Sequence, residues 1–293
     1  MVTPDKTEGA IPVDENTKRC CSIYDGNTAA KGYSWLGAGR GTLSMANIFL
    51  NQAFLFLAYQ AAGCELADSD TCENKIYGFY PASWIAVIPV IAGLFGSFTS
   101  PILGALVDFS DYRRGVGIST ACIIIAIQAV QIYTVDSTWF VMLWFQALAV
   151  AIYYWQLVAA YAYLPEIARV VGESKMAGFT SSFQSIQFGS QALFLVAMAI
   201  VALVGKQTQV VNGQISQGLN TLTCLFFFGV GWFKYLGRRN AVRKLPEGHS
   251  MILEGFRSNF KTIKSIQKDF KKGIRWFFLA LAFSQACKLS TTR

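Results

Sequence analysis

Apolar residues run along this chain in long stretches joined by short polar connections. Six stretches stand out: Ser44 to Gly63, Pro81 to Leu106, Val116 to Thr134, Trp139 to Tyr163, Ser181 to Gly205 and Leu219 to Leu236. They are free of Asp, Glu, Arg and His, and the first lysine inside them is Lys234, where a basic stretch opens. A soluble helix carries charge on its outer face. A helix crossing ~30 Å of hydrocarbon needs about 20 apolar residues. The pattern therefore predicts six membrane-spanning helices.

Past the sixth stretch the period changes. Phe256, Phe260, Ile263, Ile266, Phe270 and Ile274 recur at steps of three and four, with Lys261, Lys264, Lys268, Lys271 and Lys272 mostly between them. That spacing predicts an amphipathic helix on an anionic leaflet, or a solvated linker helix between two membrane halves. "IRWFFLALAFSQAC" follows, too short to span, and reads as an incomplete seventh helix or an interfacial segment. The expected fold class is all-α and polytopic. Residues 1–43 form a cytosolic tail, 44–236 a six-helix bundle, 237–273 a basic cytosolic linker and 274–293 the incomplete helix.

Composition supports a membrane protein: 53% of residues are hydrophobic and only 14% charged, against about 25% charged in soluble domains. The net charge of +8 is distributed in a way that sets orientation rather than pointing to nucleic acid. The tail, the second and fourth loops and the basic stretch hold 21 of the 25 Lys and Arg residues, and Lys75 and Lys206 alone lie opposite. Positive charge marks the cytosolic side, so the N-terminus is expected in the cytosol. Cys64 and Cys72 flank a short acidic loop on the other side, where an oxidising lumen permits a disulfide.

Two groups of residues carry candidate function. Ala92, Gly96, Ser100 and Gly104 are spaced four apart on the second helix, a face that lets a partner helix approach. Just beyond lie Asp108, Arg113 and Arg114. Asp108 is placed to pair with either arginine or with a basic residue on another helix. Glu166, after Leu164-Pro165, is placed to pair with Arg169 or with the same arginines. Such pairs latch one conformation, or are weak surface anchors.

The second group is neutral: Asn47 and Asn51 on the first helix, Gln146 and Tyr153 on the fourth, and Gln184, Gln187 and Gln191 on the fifth. Amides buried in a membrane either line a cavity or hydrogen-bond helices together. A neutral, amide-lined cavity suits a small polar or zwitterionic solute.

Gly104-x-Leu106-x-Asp108 followed by Arg113 resembles the loop signature between helices 2 and 3 of the major facilitator superfamily. Val107, Phe109, Asp111 and Tyr112 depart from it. The fuller "SPILGALVDFSDYRRGVG", with "YAYLPEIAR" and "WFKYLGRRNAVRKLPEG", is similar to the autophagy-related vacuolar amino-acid effluxers. The resemblance covers about residues 44–285, the first half of a twelve-helix carrier, and implies a truncated chain. It also implies amino-acid export from the vacuole lumen to the cytosol, a vacuolar membrane location, and gating by Gly104, Asp108, Arg113, Arg114 and Glu166. The alternatives are a facilitator for another solute and a non-transporting six-helix protein. "GAGRG", residues 37–41, is not preceded by a strand and is discounted as a nucleotide loop. No cofactor, metal site or catalytic constellation is expected, no span is expected to carry a buried charge, and oligomeric state is open.

Overall fold

The computed structural model describes residues 27–64, 72–241, 245, 248, 250–269 and 276. The tail before Asn27, Cys20, Cys21, His249, Cys287 and all of the expected seventh helix except Trp276 lie outside them. All regular structure among the described residues is helical, apart from an isolated bridge between Ile76 and Phe79. The helices are α1 Thr28–Ala61, α2 Pro81–Phe109, α3 Arg113–Gln131, α4 Trp139–Tyr161, α5 Leu164–Val171, α6 Glu173–Gly205, α7 Gln209–Gly229 and α8 Met251–Asp269, with a π-helical turn, Val230–Tyr235, continuing α7.

Five helical segments are long and apolar enough to cross a membrane: Thr28–Ala61, Pro81–Phe109, Arg113–Gln131, Trp139–Val171 and Ser174–Gly205. Each overlaps one of the first five expected spans. The sixth differs. Its helix starts at Gln209 rather than Leu219, and its early turns carry Asn212, Gln214, Gln217 and Asn220. Those residues turn inward: Gly213, Ser216, Gln217, Asn220 and Cys224 are all buried. Part of the polarity that lowers its apolar character is used in contacts with its neighbours: Gln214 Nε2 donates to Thr134 O, and Ser216 and Gln217 donate to Ala46 O.

The first span also begins earlier than the hydropathy pattern places it. Asn27 caps it, its Oδ1 accepting from the backbone N–H groups of Ala29 (2.8 Å) and Ala30 (3.3 Å), which satisfies two of the free donors of a helix start. Residues 28–43 are therefore helical and, from Leu36 to Leu43, buried throughout. The stretch reads as a tail because four glycines and an arginine lower its hydropathy. The glycines are there for packing. A Cβ on Gly37 would come within 2.5 Å of the Phe183 ring of α6, and one on Gly39 within 2.5 Å of the Phe228 ring of α7. At Gly41 a Cβ would collide with Gln187 O and Ser190 Oγ of α6. Helix α1 is thus the central element, sunk against α7 on one side and α6 on the other. The α7 side is stitched by Gln217 Nε2 and Ser216 Oγ, which donate to Ala46 O (3.3 and 3.4 Å).

Pro165 separates α4 from α5, and Gly172, at φ 87°, ends α5. On α2, Gly96 packs against the Tyr154 ring of α4, whereas nothing lies near Gly104. Helix α8 rests on α2 instead: Gly255 abuts Pro101 O and Ala105, and the Phe256 and Phe98 rings are 5.8 Å apart. Its Phe260 and Ile263 are exposed. The side chain of Ile266, and Phe270 and Ile274 entirely, lie outside the described residues. At the opposite end of the bundle a disulfide joins Cys64 to Cys72, Cα to Cα 6.0 Å.

Candidate functional site

The end of the bundle that carries Arg113 and Arg114 is tied together by the segment leaving α7. Arg114 donates from Nε to Trp232 O (3.2 Å) and from Nη2 to Phe233 O (3.3 Å), two carbonyls in the π-helical turn. Tyr163 Oη donates to Gly237 O (3.1 Å). Glu166 forms an ion pair with Arg239 at 2.7 Å. Asp111 accepts from the Ala241 backbone N–H at 2.6 Å. Five contacts from four residues thus run from the α2–α3 and α4–α5 connections to residues 232–241.

Two expected pairings are not present. Glu166 pairs with Arg239, not with Arg169 or the loop arginines, because the chain after Leu236 folds back across the α4–α5 corner. Asp108, half-buried in the last turn of α2, makes no ion pair with Arg113 or Arg114. Arg113 is instead 3% exposed with its guanidinium 5.2 Å from the centre of the Tyr163 ring, and its Nε and Nη2 make no hydrogen bond among the described residues.

The neutral group divides. Gln146 is buried and accepts from Gln131 Nε2 of α3 at 2.9 Å, so it joins α3 to α4. On α1, Asn47 is half-buried and Asn51 exposed; on α6, Gln184 is exposed and Gln187 and Gln191 half-buried. Gln187 runs beside α1, its carbonyl against Gly41.

A residue that the hydropathy pattern hides sits at the centre of this second region. Arg40 is 2% exposed. Its guanidinium lies over two rings, 5.7 Å from the centre of Tyr33 and 5.5 Å from that of Tyr161, with Tyr153 within electrostatic reach. Its Nε and Nη2 make no hydrogen bond, and no carboxylate lies within ion-pair distance among the described residues. The expectation that no span holds a buried charge is therefore corrected: α1 holds one, because the span begins at Thr28 and takes in "GAGRG". The signal available in the sequence was Gly37-x-x-x-Gly41, a spacing that brings helices close. Gln128 of α3 and Gln156 of α4 are also buried with side-chain amides that find no partner among the described residues.

No group of three or more His, Cys, Asp or Glu among the described residues is arranged to hold a metal. No family model, curated protein or solved structure matches the chain.

Proposed function

We propose that the chain is a six-helix half of a membrane carrier of the major-facilitator kind, exporting amino acids from a vacuole-like lumen to the cytosol in autophagic recycling. One observation carries the carrier reading: the five contacts that tie the loop bearing the Gly104–Arg114 motif, and Tyr163 with Glu166, to residues 232–241. A carrier that exposes its site alternately to two sides needs a cluster of this kind at one end, made in one state and broken in the other. The contacts are few, polar and partly exposed, so breaking them costs little compared with separating a packed core.

The amino-acid substrate, the vacuolar membrane and the direction of transport rest on the resemblance of "SPILGALVDFSDYRRGVG" and "YAYLPEIAR" to the effluxer family. The cytosolic N-terminus rests on the excess of Lys and Arg at one end. The reading takes the solute cavity as completed by a second six-helix half, supplied by a longer chain or by a second copy.

The test is flux. Protein expressed from its complete reading frame is reconstituted in liposomes loaded with labelled leucine, lysine, glutamate or glucose. Amino-acid efflux above that of empty liposomes is expected, and Arg114→Ala with Asp111→Asn alters its rate. Glucose efflux alone makes this a carrier of another solute. Flux of none of the panel by protein that is folded and inserted removes the carrier reading.

A further inference from the structure

Resting on the carrier reading, we propose that Arg40 is the solute-binding residue, and that it recognises a carboxylate group. Arg40 lies twelve residues into α1, about 18 Å along the helix at 1.5 Å per residue. It is well inside the bundle rather than at its edge. The rings of Tyr33 and Tyr161 flank its guanidinium, which stabilises the charge through their faces. Ring faces do not satisfy the N–H groups at the guanidinium's edge.

The two atoms left without partners are Nε and Nη2. Their N–H bonds point the same way, side by side, and form the fork that meets both oxygens of a carboxylate at once. A buried cation with no counter-charge is costly; Arg113 bears that cost at the loop end of the bundle, whereas Arg40 bears it within a candidate membrane span. Arginines within membrane helices mark solute and ion pathways.

Three helices meet around Arg40 and Tyr33. Arg40 comes from α1. Tyr153 and Tyr161 come from α4, and Tyr161 is 49% exposed, so a single ring separates the guanidinium from the bundle surface. From α6 come Phe179 and Phe183, stacked behind Tyr33 at 6.0 and 4.6 Å between centroids, and Gln187, whose carbonyl touches Gly41. The close approach at Gly41 sets Gln187 at the height of Arg40. Its amide oxygen suits an ammonium group, while the fork takes the carboxylate.

The test is binding to the complete protein in detergent micelles, with labelled leucine as probe. Two competitors divide the recognition: isocaproate, which keeps the carboxylate and lacks the amine, and leucinamide, which keeps the amine and lacks the carboxylate. Leucine is expected to bind, isocaproate to compete, and leucinamide to compete at least tenfold less well. Arg40→Lys, which keeps the charge and loses the fork, is expected to weaken leucine about 10–100-fold, the worth of one or two charge-assisted hydrogen bonds, with an unchanged elution profile.

The proposal is overturned if leucinamide competes as well as leucine, or if Arg40→Lys binds leucine as the parent does. It is also overturned if an anionic lipid copurifies on Arg40 and leucine does not displace it. Should Arg40→Lys fail to fold, the competitors on the parent protein decide. Glucose flux without carboxylate binding sinks this proposal and leaves the carrier reading. Arg40-dependent leucine binding without flux of any solute does the reverse.

Discussion

Trp232 occupies the space that a side chain at position 117 would need: a Cβ on Gly117 would collide with the far edge of its indole ring. Trp232 is almost wholly buried and held against Tyr163, with centroids 6.1 Å apart, so it has no room to yield. Gly117→Ala is expected to lower stability by about 1–3 kcal/mol, the usual cost of overpacking, read as a lower melting temperature in detergent. The Glu166–Arg239 pair lies at the other extreme. Both side chains are about a quarter exposed, and a double-mutant cycle on Glu166→Gln and Arg239→Gln is expected to give a coupling under about 1 kcal/mol. A coupling of several kcal/mol would mean the pair anchors the fold and does not open cheaply. These two residue-scale features differ in legibility. Glu166 and its need for a cation are visible in the sequence, but its partner is supplied by a segment more than seventy residues away. Gly117 gives no local sign of the indole that it accommodates.

At the scale of elements, Arg114 fastens one helix to another. Its two bonds end on carbonyls of the π-helical turn, which lie among the last of the helix and have no partner within it. Arg114→Ala removes charge-assisted bonds worth about 1.5–3 kcal/mol each. It is expected to speed amide hydrogen exchange across residues 230–241 while leaving α2 and α4 protected. The apolar spans of α2 to α6 are legible in the sequence because each is hydrophobic enough to be read without its neighbours. The start of α1 and the first half of α7 are not, and for a shared reason: glycines on α1 and amides on α7 are unfavourable alone and favourable against each other. Gly213 of α7 faces Ala53 of α1, and Gln217 and Ser216 bond to Ala46 O. A hydropathy window sees one helix at a time and misses stability that exists only between two. Arg40 is lost in the same way, since a charge beside glycines reads as a loop until α4 and α6 enclose it.

Across the whole molecule the two ends of the bundle are chemically unlike. One gathers Arg113, Arg114, Glu166 and Arg239, and the other holds the Cys64–Cys72 bond. Single cysteines placed at Ser110 and at Ser137 in a protein otherwise free of reactive thiols are expected to react with an impermeant maleimide from opposite sides of the membrane. Labelling of both from one side would refute the helix arrangement. Reduction of the disulfide, which closes a loop with a sequence separation of 8, is expected to cost about 2–3 kcal/mol by the loop-entropy relation.

The buried charge and the glycine row of α1 bear on how the protein is made. An arginine at the middle of a helix disfavours its insertion by about 2.5–3.5 kcal/mol, and the glycines add little hydrophobicity in return. The partners that bury this helix lie on α6 and α7, which leave the ribosome well over a hundred residues later. At 5–20 residues per second, that is on the order of ten to thirty seconds. For that interval the glycine-rich face of α1 lacks its α6 and α7 partners, and the insertion machinery or a membrane chaperone must shelter it. Nascent chains stalled before Ser181 should therefore leave α1 extractable by alkaline carbonate, and chains stalled after Leu236 should not.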